Sequence, residues 1–149
     1  MKFKIILKRI NITAIIFSFV LSIYLLGLFA AEGVSDILSE EVEGLENLEK
    51  ILEEEKSKLK QCQNYEINIK IIDDSETPYA TKIYGDKFEI GLYQTSNIST
   101  IRHELYHIED GHTNMKTPKN LKERLHNGIK YLFVYEPQAA IYELTGLKL

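Results

Sequence analysis

Cysteine is almost missing from this sequence of 149 residues, in which Cys62 is the only example. A single cysteine excludes an internal disulfide and a zinc knuckle of the Cys-x-x-Cys type. It leaves the redox compartment open. Any metal site in this chain must therefore be built from histidines and carboxylates.

An excess of positive charge is also missing. The chain has 18 basic and 22 acidic side chains, a net charge of -4, and its basic residues form no cluster beyond the extreme N-terminus. Binding to nucleic acid requires a basic surface. The composition therefore argues against a nucleic-acid partner. Internal repeats are absent too, and the length suits one compact domain.

Long apolar runs are lacking except for one. Residues 10–31 carry no charge and follow a basic segment, residues 1–9. A helix needs about 20 apolar residues to cross a bilayer, so we predict that residues 10–31 are a transmembrane signal-anchor. A cleaved signal peptide is the alternative, with Ala31-Glu32-Gly33 as the cleavage site. It is disfavoured because its apolar part would span only about 7–15 residues.

The basic N-terminus also predicts an orientation. Lysine and arginine stay preferentially on the cytoplasmic side of a membrane. Residues 1–9 would then be a cytoplasmic tail, and a domain of residues 34–149 would lie outside the cytoplasm. A buried core helix is disfavoured for residues 10–31 because the run is apolar on every face. The expected protein is therefore a single-pass protein of the cell membrane.

Residues 34–60 are predicted to form one acidic amphipathic helix. Leucine recurs every seven residues, a spacing that is typical of a helix seam. We expect this helix to pack on its own domain or to form a stalk. Self-association as a coiled coil is the alternative, although Glu49 and Lys56 occupy positions that such a seam would fill with apolar residues. The recurring leucines are Leu38, Leu45, Leu52 and Leu59.

Residues 64–149 combine strand and helix signals, which predicts a core of the α+β class. Residues 65–71 alternate between apolar and polar, as a strand does. Residues 79–84 and 88–92 flank a Gly-Asp-Lys turn, which predicts a hairpin. A helix is expected to begin near residues 95–97 and to end near Gly111. Another is expected to open at Thr117-Pro118 and to run, interrupted by Pro137, to Thr145-Gly146, which is a cap signal. Its predicted buried side is Leu121, Leu125, Ile129, Leu132 and Phe133.

The chemistry-bearing pattern is His103-Glu104-Leu105-Tyr106-His107. Helical residues four positions apart lie one turn apart on the same face, so His103 and His107 can share one ion. Zinc is the expected metal because imidazole suits it and three protein ligands leave room for a water. Glu104 lies beside that water and is the expected general base.

A third ligand must come from elsewhere in the chain. Glu136, at the start of a downstream helix, is our choice, and the small Ala139 and Ala140 after it allow a close approach. The competing interpretation is that Glu136 only caps its helix, with Pro137 in the first turn. The other candidates are Glu109, Asp110, His112, Glu123, His126 and Glu143, of which both histidines are expected at the surface.

The pattern His103-Glu104-x-x-His107, with a distant Glu136-x-x-Ala139, resembles the gluzincin metallopeptidases and most of all the minimal gluzincins, called minigluzincins. The string from His103 to His112 is similar to membrane-bound gluzincins related to the CAAX-prenyl-protease type and to peptidases that cleave phage repressors. The resemblance covers about residues 34–149. It implies an α+β, zincin-like fold, with a small mixed sheet, an active-site helix and C-terminal helices, preceded here by one transmembrane helix.

Two residues depart from the pattern of these relatives. Many carry an aspartate where this chain has Ala140, so the hydrogen bond that it would give a ligand histidine is either absent or comes from elsewhere. Pro137 is expected to hold Glu136 away from helical backbone angles.

The resemblance also implies a mechanism. A zinc-activated water would hydrolyse a peptide bond of a peptide or protein substrate, with Glu104 as general base. An oxyanion stabiliser would come from Tyr131, Tyr135 or His126. Substrate would pair with an edge strand, expected at residues 88–92. The alternative is a catalytically silent zinc-binding membrane protein that acts as a regulatory or interaction module, with residues 147–149 free to dock in the cleft.

Overall fold

The computed structural model describes residues 2–114 and 118–146, and leaves out the side chains of residues 2–15, 17, 32 and 36. Thr117, the side chains of the basic tail and the proposed docking segment 147–149 therefore lie outside the described residues. The chain forms helices together with a small sheet, which confirms the predicted α+β class.

The first helix, α1 (Lys2–Leu38), includes the predicted anchor. Its stretch Ser18–Ser35 is long and apolar enough to cross a membrane, and it is almost entirely exposed. A signal sequence near the N-terminus can also be apolar enough to meet these criteria, so the stretch alone does not separate an anchor from a signal sequence. The helix continues seven residues beyond Ala31, so the end of the apolar run is not the end of the element.

Residues 34–60 do not form the single helix that the leucine spacing predicted. The helix α1 ends at Leu38, a short strand β1 (Glu41–Glu43) follows, and α2 (Leu45–Lys56) begins after Gly44. Gly44 has a φ of 87°, a backbone angle that favours glycine and that turns the chain between β1 and α2.

The leucines of the stripe consequently lie in different surroundings. Leu52 and Leu59 are buried in the core, at 2% and 1% exposure, whereas Leu38 is 77% exposed. Half of the stripe is therefore a packing face of the domain itself. Leu38 and Leu45 of the stripe stay exposed, as do Val34 and Ile37 in the same segment.

The main sheet contains β2 (Glu66–Ile71), β3 (Tyr79–Tyr84) and β4 (Lys87–Leu92) in the order β2-β4-β3. Strand β4 runs parallel to β2 and antiparallel to β3, so the sheet is mixed, as expected. The predicted hairpin is confirmed. Alternate residues of β4 point into the core, because successive side chains of a strand face opposite sides. Phe88, Ile90 and Leu92 are all buried.

Residues 95–97 form the strand β5 (Thr95–Asn97), which pairs antiparallel with β1. Asn97 is also the N-cap residue of the next helix, which confirms the predicted helix start. The helix α3 (Ile98–Glu109) follows directly. In its first turn, the backbone N–H of Ser99 donates a hydrogen bond to the side-chain oxygen of Ser39, at 2.9 Å. Ile101, Leu105 and Ile108 face the core, and Gly111, with a φ of 71°, turns the chain after the helix.

The C-terminal helices form one continuous run: α4 (Leu121–Lys130), a π-helical turn (Tyr131–Tyr135) and α5 (Glu136–Thr145). The run begins after Asn120, whose side chain accepts a hydrogen bond from the backbone N–H of Glu123, and Pro118 lies outside it. The predicted buried side of α4 is wrong. Leu121, Leu125 and Ile129 are 81%, 63% and 50% exposed.

Pro137 explains the π-helical turn. Proline in a helix lacks a donor and crowds the carbonyl four residues earlier. Here the backbone N–H of Glu136 bonds to the carbonyl of Tyr131, five residues back, which widens the helix just before the proline. Glu136 keeps helical angles, with φ -60° and ψ -46°, so the expected displacement from helical geometry is wrong.

Candidate metal centre

The helix α3 and the first residue of α5 bring three donor groups together. The Nε2 atoms of His103 and His107 lie 3.1 Å apart. Each of them lies 3.5 Å from a carboxylate oxygen of Glu136. Two nitrogens on one tetrahedral zinc lie about 3.3 Å apart, given Zn–N bonds of about 2.0–2.1 Å. The separations and the donor types therefore fit a zinc ion.

The other candidates for the third ligand have different roles. Glu109 accepts hydrogen bonds from the backbone amides of Gln61 and Cys62, at 2.7 and 3.0 Å, and so fixes the end of α3. Glu123 takes part in the start of α4, and His126 is exposed there, as expected. Of the candidates, Glu136 is the one that shares a potential metal position with both histidines.

Glu143 orients His103. One of its carboxylate oxygens lies 2.9 Å from Nδ1 of His103, which leaves Nε2 for a metal. Glu143 is buried, at 6% exposure. Such a carboxylate fixes the tautomer of a ligand histidine and makes its other nitrogen a better donor. It supplies the hydrogen bond that Ala140 cannot give, from a position seven residues, or two turns, after Glu136.

His112 orients His107. The Nδ1 atoms of the two rings lie 2.9 Å apart, so one ring must donate to the other. His112 is buried at 6% exposure, and its ring stacks on Tyr135 with centroids 3.6 Å apart. Our expectation that His112 lies at the surface is therefore wrong. The turn at Gly111 folds this residue back under the end of α3.

Glu104 lies beside the donor groups and lines the same cavity. It is 7% exposed. Burial raises its pKa to about 7, and the nearby carboxylates of Glu136 and Glu143 add to this effect, against the lowering effect of His103. A general base is most effective when its pKa lies near the working pH.

The two histidines differ in charge in the metal-free protein. Burial disfavours protonation of both imidazole rings. At His103 the hydrogen bonds with the carboxylates of Glu136 and Glu143 outweigh burial and raise the pKa of the ring to about 10. Burial and the charge of His103 lower the pKa of His107 to about 4. A metal ion binding at neutral pH would therefore have to displace a proton from His103.

An open cavity of about 650 Å³ lies over these groups. Tyr131 lines it, whereas Tyr135 lies against His112 and His126 is exposed on α4. Tyr131 shares a hydrogen bond with Glu136, and burial raises its pKa well above the usual value for tyrosine. Of the three candidates for the oxyanion stabiliser, Tyr131 is thus the one that faces the cavity.

The strand that borders the cavity is β3, through Tyr79 and Ala80. Residues 88–92, expected to be an edge strand, form the central strand β4, with both edges paired. That expectation is therefore wrong, because β4 has no open edge for a substrate. Gly91 of β4 matters to the cavity wall, since a Cβ there would lie 2.4 Å from the ring of Tyr79.

Comparisons of the chain with protein-family models, with curated proteins and with solved structures find no match.

Proposed function

We propose that this chain is a membrane-anchored zinc metallopeptidase of the gluzincin type, with a zincin-like catalytic domain. One observation carries the proposal. Two imidazoles and a carboxylate, from His103, His107 and Glu136, converge within 4.8 Å of one another, on an open cavity that Glu104 also lines. A purely structural ion cluster would not need a further buried carboxylate directed at the same space.

The residues have distinct roles in this proposal. His103, His107 and Glu136 hold the zinc. Bound zinc supplies a Lewis acid for the peptide carbonyl and lowers the pKa of its water to about 7. Glu104 accepts a proton from the attacking water and passes it to the leaving amine.

The surroundings of the ligands support catalysis as well as binding. Glu143 and His112 fix the two histidine rings. The Tyr131 hydroxyl is protonated at neutral pH, as tyrosine ordinarily is, and Tyr131 lines the cavity, so it can donate a hydrogen bond to the oxyanion. These groups are set in place by packing before substrate arrives, and such preorganisation strengthens electrostatic stabilisation of a transition state.

A peptide is the substrate that the cavity suits. In the part of the chain that the structure describes, one edge of β3 has no partner strand. An extended peptide can add to such an edge through main-chain hydrogen bonds. Because Tyr79 and Ala80 of β3 line the cavity, a strand added there would run past the metal position.

The helix α1 is the proposed anchor, with residues 1–9 in the cytoplasm and the catalytic domain on the other side of the membrane. Its apolar stretch supports a span, and the basic N-terminus supports the orientation. Contacts favour an uncleaved helix. The Tyr24 hydroxyl donates to the carbonyl of Leu132 at 2.7 Å, so α1 packs against the segment that carries Tyr131 and Glu136.

The test is the variant Glu104→Gln in the full chain, purified in detergent and loaded with zinc. Cleavage of a fluorescence-quenched peptide library should fall by roughly 10²–10⁴-fold, the usual contribution of a general base. Zinc content should not change, because Glu104 is not a ligand. Glu49→Gln, an exposed glutamate on α2, is the matched control and should keep full activity.

A zinc-loaded wild-type chain that cleaves none of the peptides would contradict the peptidase proposal. It would leave the silent zinc-binding module as the better account. Equal activity of wild type and Glu104→Gln would instead point to a contaminating peptidase and would remove Glu104 from the mechanism.

A further inference from the structure

The helix α4 has an apolar face that is largely exposed in the described protein. None of its ten residues is buried. Leu121, Leu125 and Ile129 follow one another at four-residue spacing, so they form one stripe along the helix. Each of them is at least half exposed. A solvent-facing stripe of this kind on a folded domain generally marks a binding surface.

The rest of α4 is basic. Residues 119–130 contain four basic and one acidic side chain, a net charge of +3 with His126 neutral, in a chain whose net charge is -4. An amphipathic helix with an apolar stripe and a lysine- and arginine-rich polar face is typical of helices that lie in the interface of an anionic membrane. Phosphates of anionic lipids attract such side chains.

The position of α4 relative to α1 identifies the membrane as its partner. The π-helical turn that directly follows α4 is fixed to α1, through the hydrogen bond from Tyr24 to Leu132 and the stacking of Tyr24 on Phe133, with centroids 5.0 Å apart. Tyr24 lies within the stretch Ser18–Ser35 that is able to cross a bilayer. Leu125 is seven residues before Leu132, or about 10 Å along the helix.

An apolar face this close to a membrane-spanning helix lies within reach of the bilayer boundary. The exposed apolar side chains of α1 continue the same kind of surface beside it. They include Ile16, Phe19, Val20, Ile23, Leu26 and Phe29.

We propose that α4 is an interfacial membrane helix, whose stripe of Leu121, Leu125 and Ile129 inserts at the boundary of an anionic bilayer while its basic side chains contact lipid phosphates. The helix would hold the cavity of the domain close to the membrane surface. The inference rests on the proposed membrane anchor α1, and it holds whether or not the centre carries out hydrolysis.

The experiment measures the depth of spin labels in the full chain, reconstituted into vesicles of phosphatidylcholine and phosphatidylglycerol. Leu125→Cys and Ile129→Cys place labels on the stripe, and Lys130→Cys places the control label on the polar side of the same helix. Cys62 is fully buried, and the unsubstituted chain shows whether it reacts. Collisions with oxygen, which concentrates in lipid, are compared with collisions with a water-soluble nickel chelate.

Labels at positions 125 and 129 should collide more with oxygen than with nickel, and the label at position 130 should show the reverse. Vesicles of phosphatidylcholine alone should bring the two stripe labels closer to water. Nickel access that is equal at all three positions would overturn the proposal, because α4 would then lie in solvent. Stripe labels shielded from both reagents, together with crosslinking between chains, would also overturn it, in favour of a second copy as the partner.

Discussion

At the scale of single residues, the geometry of the centre depends on two side chains that are not ligands. Glu143 and His112 hold the Nδ1 atoms of His103 and His107, so that both Nε2 atoms point toward Glu136. Without these partners each ring could rotate or change tautomer. Metal binding would then have to fix both rings, and the entropy lost in doing so would weaken the affinity for the metal.

Glu143→Gln tests this role. The amide keeps the size of the side chain but loses its charge, and loss of such an outer partner typically weakens metal binding about 10–100-fold. Competition titration with a zinc chelator should show this loss, while saturating zinc should still fill the site. Glu49→Gln is the control. An unchanged affinity in Glu143→Gln would show that the hydrogen bond to His103 does not support metal binding.

Tyr131→Phe tests the oxyanion donor. The change removes one hydroxyl from the cavity wall, and loss of a single such donor lowers kcat by roughly 10²–10³-fold. Zinc content should stay the same, because Tyr131 is not a ligand. Tyr135→Phe, which removes a hydroxyl from a ring stacked on His112, should leave kcat within a few-fold of wild type. Equal losses in the two variants would contradict the assignment.

The donor set of the site was predictable from sequence because its signals are local or chemically restricted. His103, Glu104 and His107 follow from helical spacing, and Glu136 from the need for a distant carboxylate. The position of Glu143 near the site was predictable from helical spacing as well, since it lies two turns after Glu136 and therefore on the same face of the helix. His112 was not, because its burial depends on the turn at Gly111 and on the ring of Tyr135.

At the scale of elements, a buried ion pair connects α2 to α3, the helix that carries His103 and His107. Arg102 of α3 donates to Glu55 of α2 at 2.9 Å, and Lys58 reaches the same oxygen at 2.7 Å. Glu55 is only 3% exposed. Burial alone would raise its pKa, but the hydrogen bonds from Arg102 and Lys58 lower it below the ordinary 4.5. The ion pair thus holds the side chain of Arg102, the residue directly before His103, in place against α2.

A carboxyl group whose pKa is lowered by folding stabilises the protein above its unfolded-state pKa, and this contribution is lost as the pH falls through the folded-state pKa. Glu55→Gln should therefore lower the free energy of unfolding at pH 7 by about 1–3 kcal/mol, as hydrogen bonds to charged groups do. The difference from wild type should shrink as the pH falls below 4.5.

Urea denaturation of the full chain in detergent, followed by circular dichroism at several pH values, measures this difference. Glu54→Gln is the matched control, because Glu54 is the next residue and its side chain is 60% exposed. It should show little effect at any pH. A difference between wild type and Glu55→Gln that stays constant with pH would contradict the account of the pair.

Element prediction worked where periodicity and turn chemistry agree. The hairpin around Gly85 and the helix α3 follow from such patterns. It failed for residues 34–60 because the seven-residue spacing of the leucines continues across the glycine turn at Gly44. It failed for α4 because periodicity shows which residues share a face but not whether the rest of the protein covers that face. None of the residues of α4 is buried.

At the scale of the whole molecule, the candidate anchor and the site are coupled. The helix α1 packs on the π-helical turn through Tyr24, and Ser35 at the end of its apolar stretch is buried in the domain. Removing the first 33 residues would therefore expose part of the wall behind Tyr131 and Glu136. Experiments on this protein need the full chain in detergent or lipid.

The measurement that tests the central claim most directly is the zinc content of the full chain, by elemental analysis after metal loading, in wild type, Glu136→Gln and Glu49→Gln. A single zinc per chain in wild type and in Glu49→Gln, and its loss in Glu136→Gln, is the predicted result. No zinc in the wild type would contradict the metal centre itself. Zinc kept by Glu136→Gln would contradict Glu136 as the third ligand.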